Sequence, residues 1–335
     1  MPAKLTTTVN NIQTVPNSTN AEITNQFYHY MKSCEVSENH QNNCLKVVIA
    51  FANSLGPDTT FYDIKSREQI MAFLDTKVKS REEDPDKKWV TTWNHYLNRI
   101  RLFFRWLHNA RGKDVSGEKT PSSEWETPAL VKIKGKKTKR LSPYSETELW
   151  DRDEILFIVK YEPHIRNKAA VTLFWDLGAR NHEVTLLKIK HIRLRERYGE
   201  GEIPHEAKTG SGPILLTCSF PYVRDWLNKH PFRNESNARL ICNVMTGAPV
   251  NPEAMWTMMK QLRLRIIRMI EDGSIVNDDE RQKLQYLLET RRWNPYCIRH
   301  SSITYDSDYL TEYALKKKVR WSMNSRQGAR YIKRR

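Results

Sequence analysis

The 335-residue sequence contains no apolar run approaching the ~18 residues that a membrane-crossing helix requires. Its first twenty residues (MPAKLTTTVNNIQTVPNSTN) lack the apolar stretch of a secretory signal, which leaves the cytoplasm as the expected compartment. The five cysteines, Cys34, Cys44, Cys218, Cys242 and Cys297, are odd in number, widely spaced and free of any CxxC pair. That pattern excludes a disulfide framework and a zinc knuckle, and fits a reducing environment. No set of carboxylates has the spacing that would gather Mg²⁺, so a metal-dependent nuclease or a DDE transposase lacks its ligands, and neither metal nor cofactor is expected. No internal repeat occurs, which removes solenoids and propellers.

What the sequence has in excess is positive charge. Fifty-five Lys and Arg stand against 39 Asp and Glu, a formal +16, which points to a polyanionic partner, with nucleic acid the first candidate. The excess is uneven: +3 over residues 1–112, +4 over 113–145 and +9 over 146–335. Two runs are dense. Residues 132–140 (KIKGKKTKR) carry Lys132, Lys134, Lys136, Lys137, Lys139 and Arg140, and residues 316–335 hold nine basic side chains with no acid. Each run also reads as an ordinary solvated face.

Along the chain, residues 1–20 are Thr/Asn/Ser-biased and read as a disordered tail. Residues 21–112 read as a helical domain, with helical apolar spacing over 21–34, 40–55 and 65–77 and a stronger helix over about 87–110. In that helix Trp93, Leu97, Ile100, Phe104 and Leu107 form a core stripe. Arg99, Arg101 and Arg105 fall among them, either as phosphate contacts or as solvated arginines. Residues 113–145 mix Gly, Pro, Ser and Lys without periodicity and read as a basic linker that tracks the phosphates of a duplex. From 146 to 335 the pattern becomes mixed. Ser145 caps a helix start at SETELW, and helices are expected over 153–160, 167–177, 219–229, 251–271, 278–291, 298–306, 309–317 and near 324–333. Short strands over 191–217 form a hairpin-rich sheet. Asn251-Pro252 is a capping residue followed by proline at the first helical position. The fold class is therefore mostly α with a small antiparallel β-sheet (α+β).

The chemistry-bearing residues lie in the last two-thirds. In Gly178-Ala179-Arg180-Asn181-His182-Glu183, an arginine sits at the junction of two apolar helices. In Tyr296-Cys297-Ile298-Arg299-His300, a second arginine lies in a helix's first turn. Either alone reads equally as a salt-bridge partner. Together they suit one phosphate, because each guanidinium is a permanently charged fork of donors matched to non-bridging oxygens. Such a clamp favours the extra negative charge of a phosphodiester under attack.

These boxes resemble the catalytic domain of the tyrosine recombinase, or phage-type integrase, family. GARNHEVTLL resembles the first arginine box, and YCIRHSS the second. Lys208 in EAKTGSGPILL matches the β-hairpin lysine, and VRWSMNS followed by GARY resembles the terminal box, in a form most similar to archaeal members. The four matches occur in family order across 178–331. The resemblance implies a site-specific recombinase, the integrase of an archaeal mobile element or a chromosomal relative, with 21–112 as its DNA-clamping domain, assembling as a homotetramer on two double-stranded DNA sites without ATP or metal. It implies Tyr331 as nucleophile forming a 3′-phosphotyrosyl link. Arg180 and Arg299 would stabilise the transition state, Lys208 would act as acid to the leaving 5′-oxygen, and Trp321 would donate its indole N–H to a phosphate oxygen. Glu183 would orient Arg180, and His300 would support the site. One position departs: Tyr296 stands where the family has His or Lys, and a tyrosine of pKa about 10 donates a hydrogen bond but is a poor base. That departure keeps a catalytically impaired DNA-binding protein in play, and a type IB topoisomerase-like nicking enzyme shares the same chemistry.

Overall fold

The computed structural model describes residues 4–78, 89–109, 123–137, 144–204, 206–207, 212–325 and 327–331. The chain divides into two compact units, Met1–Lys139 and Arg140–Arg335. No helix among the described residues is long and apolar enough to cross a membrane.

The first unit is helical: α1 (Leu5–Asn10), α2 (Ser18–Ser33), α3 (Glu38–Leu55), α4 (Arg67–Asp75) and α5 (Trp89–Asn109). Its core is aromatic. Phe103 of α5 meets Phe27 edge-on at 5.3 Å and Phe61 at 4.7 Å, geometries that place ring edges against ring faces. Trp93, expected in the core stripe, is buried, and its indole N–H donates to Asp75 Oδ1 at 2.8 Å.

Two expectations fail in this unit. The stretch expected to be a disordered tail forms α1 and a 3₁₀ turn (Asn11–Thr14), with Ile12 and Val15 buried in the core. Each such burial is worth roughly 1.5–3 kcal/mol, enough to order a segment whose polar composition alone predicts coil. The expected linker is likewise packed over 123–137. Trp125, Val131 and Ile133 enter the same core, while Lys132 and Lys134 point outward between them. The surrounding Gly, Pro and Lys mask this alternation of apolar and basic residues in the sequence.

The second unit contains α6 (Arg152–Val159), α7 (Ile165–Leu177), α8 (Asn181–Leu186), β1 (Ile192–Leu194), β2 (Gly199–Ile203), β3 (Gly212–Leu216), α9 (Phe220–Lys229), α10 (Pro252–Glu271), α11 (Asp278–Thr290), α12 (Pro295–Ser307) and α13 (Glu312–Lys318). The fold is mostly helical with one small antiparallel sheet, as the sequence implies. Helix α7 is its axis, buried from Ala169 through Leu177 and touching α6, α9, α12 and β3. The strands run in the order β1-β2-β3, with Gly201 opposite Ile192 on one side and Ile214 on the other. Gly201 is required by a close approach: a Cβ there would lie 3.2 Å from both Leu177 and Leu216.

Asn251 caps α10 as expected, accepting from the Ala254 N–H at 2.8 Å ahead of Pro252. The expected helix start at Ser145 is only a 3₁₀ turn (Glu146–Glu148), closed by Glu148 accepting from the Ser145 N–H at 2.9 Å. Helix α6 begins later, at the Asp151 cap. The expected helix near 324–333 is a 3₁₀ turn (Gln327–Arg330) among the described residues.

Candidate active site

Helix α7 stops at Gly178, whose φ of 49° is a left-handed conformation that glycine adopts without penalty. Two residues later Arg180 caps α8. The Glu183 carboxylate reaches back one turn to accept from the Arg180 N–H (2.8 Å) and from Arg180 Nη1 (2.8 Å). The local sequence thus places a buried acid directly behind an arginine whose side chain is 26% exposed. Helix α12 opens on Asn294, which accepts from the Cys297 N–H at 2.8 Å, with Pro295 at its first position. One turn on, Arg299 has a side chain only 2% exposed. It donates to the Gly178 carbonyl and lies 3.8 Å from Glu183 Oε2. Two arginines from separate boxes therefore meet at one carboxylate. Burial, and then the nearby Arg180, push the Arg299 guanidinium down to about 10, against the pull of Glu183 and Tyr331. It stays charged at neutral pH.

The terminal box completes the cluster. Arg320 follows α13 with φ of 60°, a conformation costing an L-residue about 1–2 kcal/mol. Its Nη2 donates to Glu183 Oε2 at 2.8 Å and its Nη1 to the Lys318 carbonyl at 3.1 Å. Trp321 is next and is buried. Its ring lies 5.2 Å from that of Tyr331, and His300 covers Tyr331 from 4.6 Å. Tyr331 is 6% exposed and packs in a small apolar cluster with Ile303, Leu315, Val319 and Trp321. Its carbonyl accepts from Ser307 Oγ at 3.4 Å, and its N–H donates to the Gly328 carbonyl at 2.9 Å. The Trp321 indole N–H is buried without a hydrogen-bond partner among the described residues. Leaving such a donor unpaired costs about 1–3 kcal/mol, which a phosphate oxygen would recover.

The structure brings together Arg180, Glu183, Arg299, His300, Trp321 and Tyr331 of the residues singled out in the sequence. Tyr296 is adjacent: 39% exposed, its ring edge-on to His300 at 4.7 Å. Lys208 falls between β2 and β3, outside the described residues, as do Lys139 and Arg140. Three contributors do not stand out in the sequence. Arg320 figures there only as the neighbour of Trp321. Tyr144, in the expected linker, sits 5.0 Å from His300 and donates to Asn294 Oδ1 at 3.2 Å. Burial pushes its hydroxyl well above the usual range, which disfavours a tyrosinate there. Asp176 accepts from the Thr217, Cys218 and Ser219 N–H groups (2.8, 3.2 and 2.7 Å), tying the exit of β3 to the α7 turn that leads into the site. An aspartate inside an apolar helix is the sequence signal for it.

The basic residues expected to meet DNA from the first unit divide. Lys132, Lys134 and Lys137 are exposed. Lys136 is not free for that role: its ammonium lies 4.5 Å above each of the Trp89 and Trp93 rings and 3.3 Å from Asp75. Arg101 donates to the Val131 (3.3 Å) and Ile133 (2.7 Å) carbonyls, Arg105 to the Trp125 carbonyl (3.0 Å), and Arg99 to the His95 carbonyl of its own helix (2.9 Å). Arg101 and Arg105 thus hold the 123–137 segment in place.

No family model and no curated protein matches the sequence. Solved structures do match the fold. A lambda integrase dimer bound to a COC′ core site is similar over 92% of this chain and 94% of its own, with a TM-score of 0.60 and 12% identity. A XerH site-specific recombinase in a pre-cleavage complex with difH substrate is similar over 98% of this chain and 90% of its own, with a TM-score of 0.61 and 12% identity. A lambda integrase tetramer bound to a Holliday junction is similar over 93% of this chain and 76% of its own, with a TM-score of 0.58 and 11% identity. Nearly the whole chain therefore has the tyrosine recombinase fold.

Proposed function

We propose that this chain is a site-specific DNA recombinase that cuts and rejoins DNA through a 3′-phosphotyrosyl intermediate on Tyr331. The observation that carries the reading is the convergence of Arg180 and Arg299, from two distant boxes, on the Glu183 carboxylate, in a unit where Tyr331 is packed against Trp321 and His300. A guanidinium pair held in a largely buried site stabilises developing charge on non-bridging oxygens. The Tyr331 oxygen attacks phosphorus and its proton passes to water, since Tyr296 is a poor base. The bond to the 5′-oxygen breaks, and Lys208 supplies that oxygen with a proton. The Trp321 N–H and the clamp hold the phosphoryl oxygens throughout. Retaining the bond energy in the tyrosyl ester lets a 5′-hydroxyl reverse the step without ATP or metal. Tyr331 packs into its own chain, which supports cleavage by the same protomer that supplies the arginines.

DNA is the partner this reading requires. Lys132, Lys134 and Lys137 are the candidate phosphate contacts of the first unit, and a homotetramer joining two sites is the working assembly. Integration or excision of an archaeal mobile element is the proposed setting, resting on the terminal Trp-Ser-Met box. The test uses a duplex nicked beside the scissile phosphate, so that the cut strand cannot religate. Wild-type protein should form a covalent DNA adduct in EDTA, and Tyr331→Phe should form none. An adduct that survives Tyr331→Phe reassigns the nucleophile, and no wild-type adduct favours the impaired DNA-binding protein to which Tyr296 points. Sequence-tolerant relaxation of supercoils without strand exchange would mark a topoisomerase-like enzyme instead.

A further inference from the structure

Glu183 has three arginine neighbours, and only two of them belong to the phosphate clamp. The third, Arg320, makes the shorter ion pair to Oε2, 2.8 Å against 3.8 Å for Arg299. Both side chains are 2% exposed. Three guanidiniums sharing one carboxylate leave the cluster with a net charge of +2, which a phosphodiester cancels only as it gains its second negative charge in the transition state. Both Arg320 Nη atoms are committed, one to Glu183 and one to the Lys318 carbonyl. Its backbone has a separate effect, because the left-handed turn at φ 60° directs the next residue, Trp321, onto the Tyr331 ring. A long, charged L-residue held buried in that conformation is retained against both strain and desolvation.

We propose that Arg320 is a positioning residue for strand cleavage: by occupying Glu183 Oε2 at 2.8 Å it holds that carboxylate's contact with Arg299 at 3.8 Å, leaving the Arg299 fork available to the scissile phosphate. The proposal rests on the recombinase reading above. It assigns Glu183 a divided task, with Oε1 aligning the Arg180 side chain and Oε2 shared between the Arg180 N–H and Arg320.

The experiment measures single-turnover adduct formation on the nicked duplex for wild type, Arg320→Gly, Glu183→Gln and the double variant, with DNA affinity measured in parallel. Glycine adopts φ 60° freely, so Arg320→Gly removes the guanidinium while easing the turn. The expected result for Arg320→Gly is a cleavage rate lowered about 10–100-fold, the range for outer partners that orient a primary contact, with DNA affinity little changed. In the double variant the freed carboxylate no longer exists to pull Arg299 aside. It should cleave at least about tenfold faster than the product of the two single losses, because neighbours in one network are not additive. A merely structural Arg320 gives losses that multiply, and that result overturns the proposal, as does a wild-type rate in Arg320→Gly. Should Arg320→Gly fail to fold, Arg320→Asn, which also tolerates the left-handed turn, carries the same measurement. A wild-type protein that forms no adduct at all overturns the recombinase reading and this proposal with it. A wild-type adduct with an unaffected Arg320→Gly overturns this proposal alone.

Discussion

The arginines on α5 of the first unit resemble those around Glu183 in sequence context, each a basic residue among apolar ones, yet the two sets meet different partners. Arg101 and Arg105 lie against uncharged backbone carbonyls of residues 125–133 and act as struts. Arg180, Arg299 and Arg320 lie against one buried carboxylate and form a charged cluster. A carbonyl satisfies a guanidinium's donors but leaves its charge uncompensated, so such an arginine stays near solvent. A shared carboxylate lets charge be buried while leaving an excess for a ligand. The role of a basic residue in this protein is set by its acceptor rather than by its density along the chain.

That contrast can be broken by substitution. The largest effect is expected from Arg299→Lys, which keeps the charge but loses the fork. Adduct formation should fall ~10²–10³-fold, with DNA affinity much less affected. A loss of affinity as large as the loss of rate would place Arg299 in ground-state binding instead. Next, Trp321→Phe removes the unpaired indole donor while keeping an aromatic ring on Tyr331. Cleavage should slow by about 10-fold or more, beside a modest loss of stability from the smaller buried ring, since the deleted N–H leaves no partner unpaired.

Arg101→Ala sharpens the other side of the comparison. It should lower unfolding free energy by about 1–3 kcal/mol in a urea titration, as two carbonyls lose their donors, and leave the salt dependence of DNA binding unchanged. Unchanged stability with a shallower salt slope would make Arg101 a phosphate contact after all. The smallest effects belong to Lys132→Ala, Lys134→Ala and Lys137→Ala. Each should reduce the slope of log K against log salt by roughly 0.9 for every phosphate no longer neutralised, without altering cleavage in the bound state. Lys136→Ala should leave that slope alone, because its ammonium is held by Trp89, Trp93 and Asp75.

The elements readable in advance share a physical feature: their signal is local. The apolar steps of Trp93, Leu97, Ile100, Phe104 and Leu107 define one buried face of α5 whatever surrounds it, and Asn251-Pro252 caps α10 through its own backbone. The segments whose structure departs from the sequence expectation are ordered by distant partners. Leu5–Asn10 is a helix and Ile12 and Val15 are buried because a core exists to receive them, and Val131 and Ile133 are held down by an arginine thirty residues earlier. The site shows the same division. Arg180, Glu183, Arg299, Trp321 and Tyr331 stand out by motif, whereas Arg320, Tyr144 and Asp176 do not, since their roles consist of contacts to residues far along the chain.

The sequence by itself determined the charge excess, the mostly helical class with its small antiparallel sheet, and the order of the arginine and tyrosine boxes, because each follows from side-chain chemistry and short-range spacing. Only the tertiary structure decided which arginines share Glu183, that Tyr331 lies buried against His300 and Trp321, and that the basic segment before residue 138 is packed rather than a free linker. Those outcomes depend on which acceptor or apolar surface the fold delivers to each side chain, and that is a property of long-range packing.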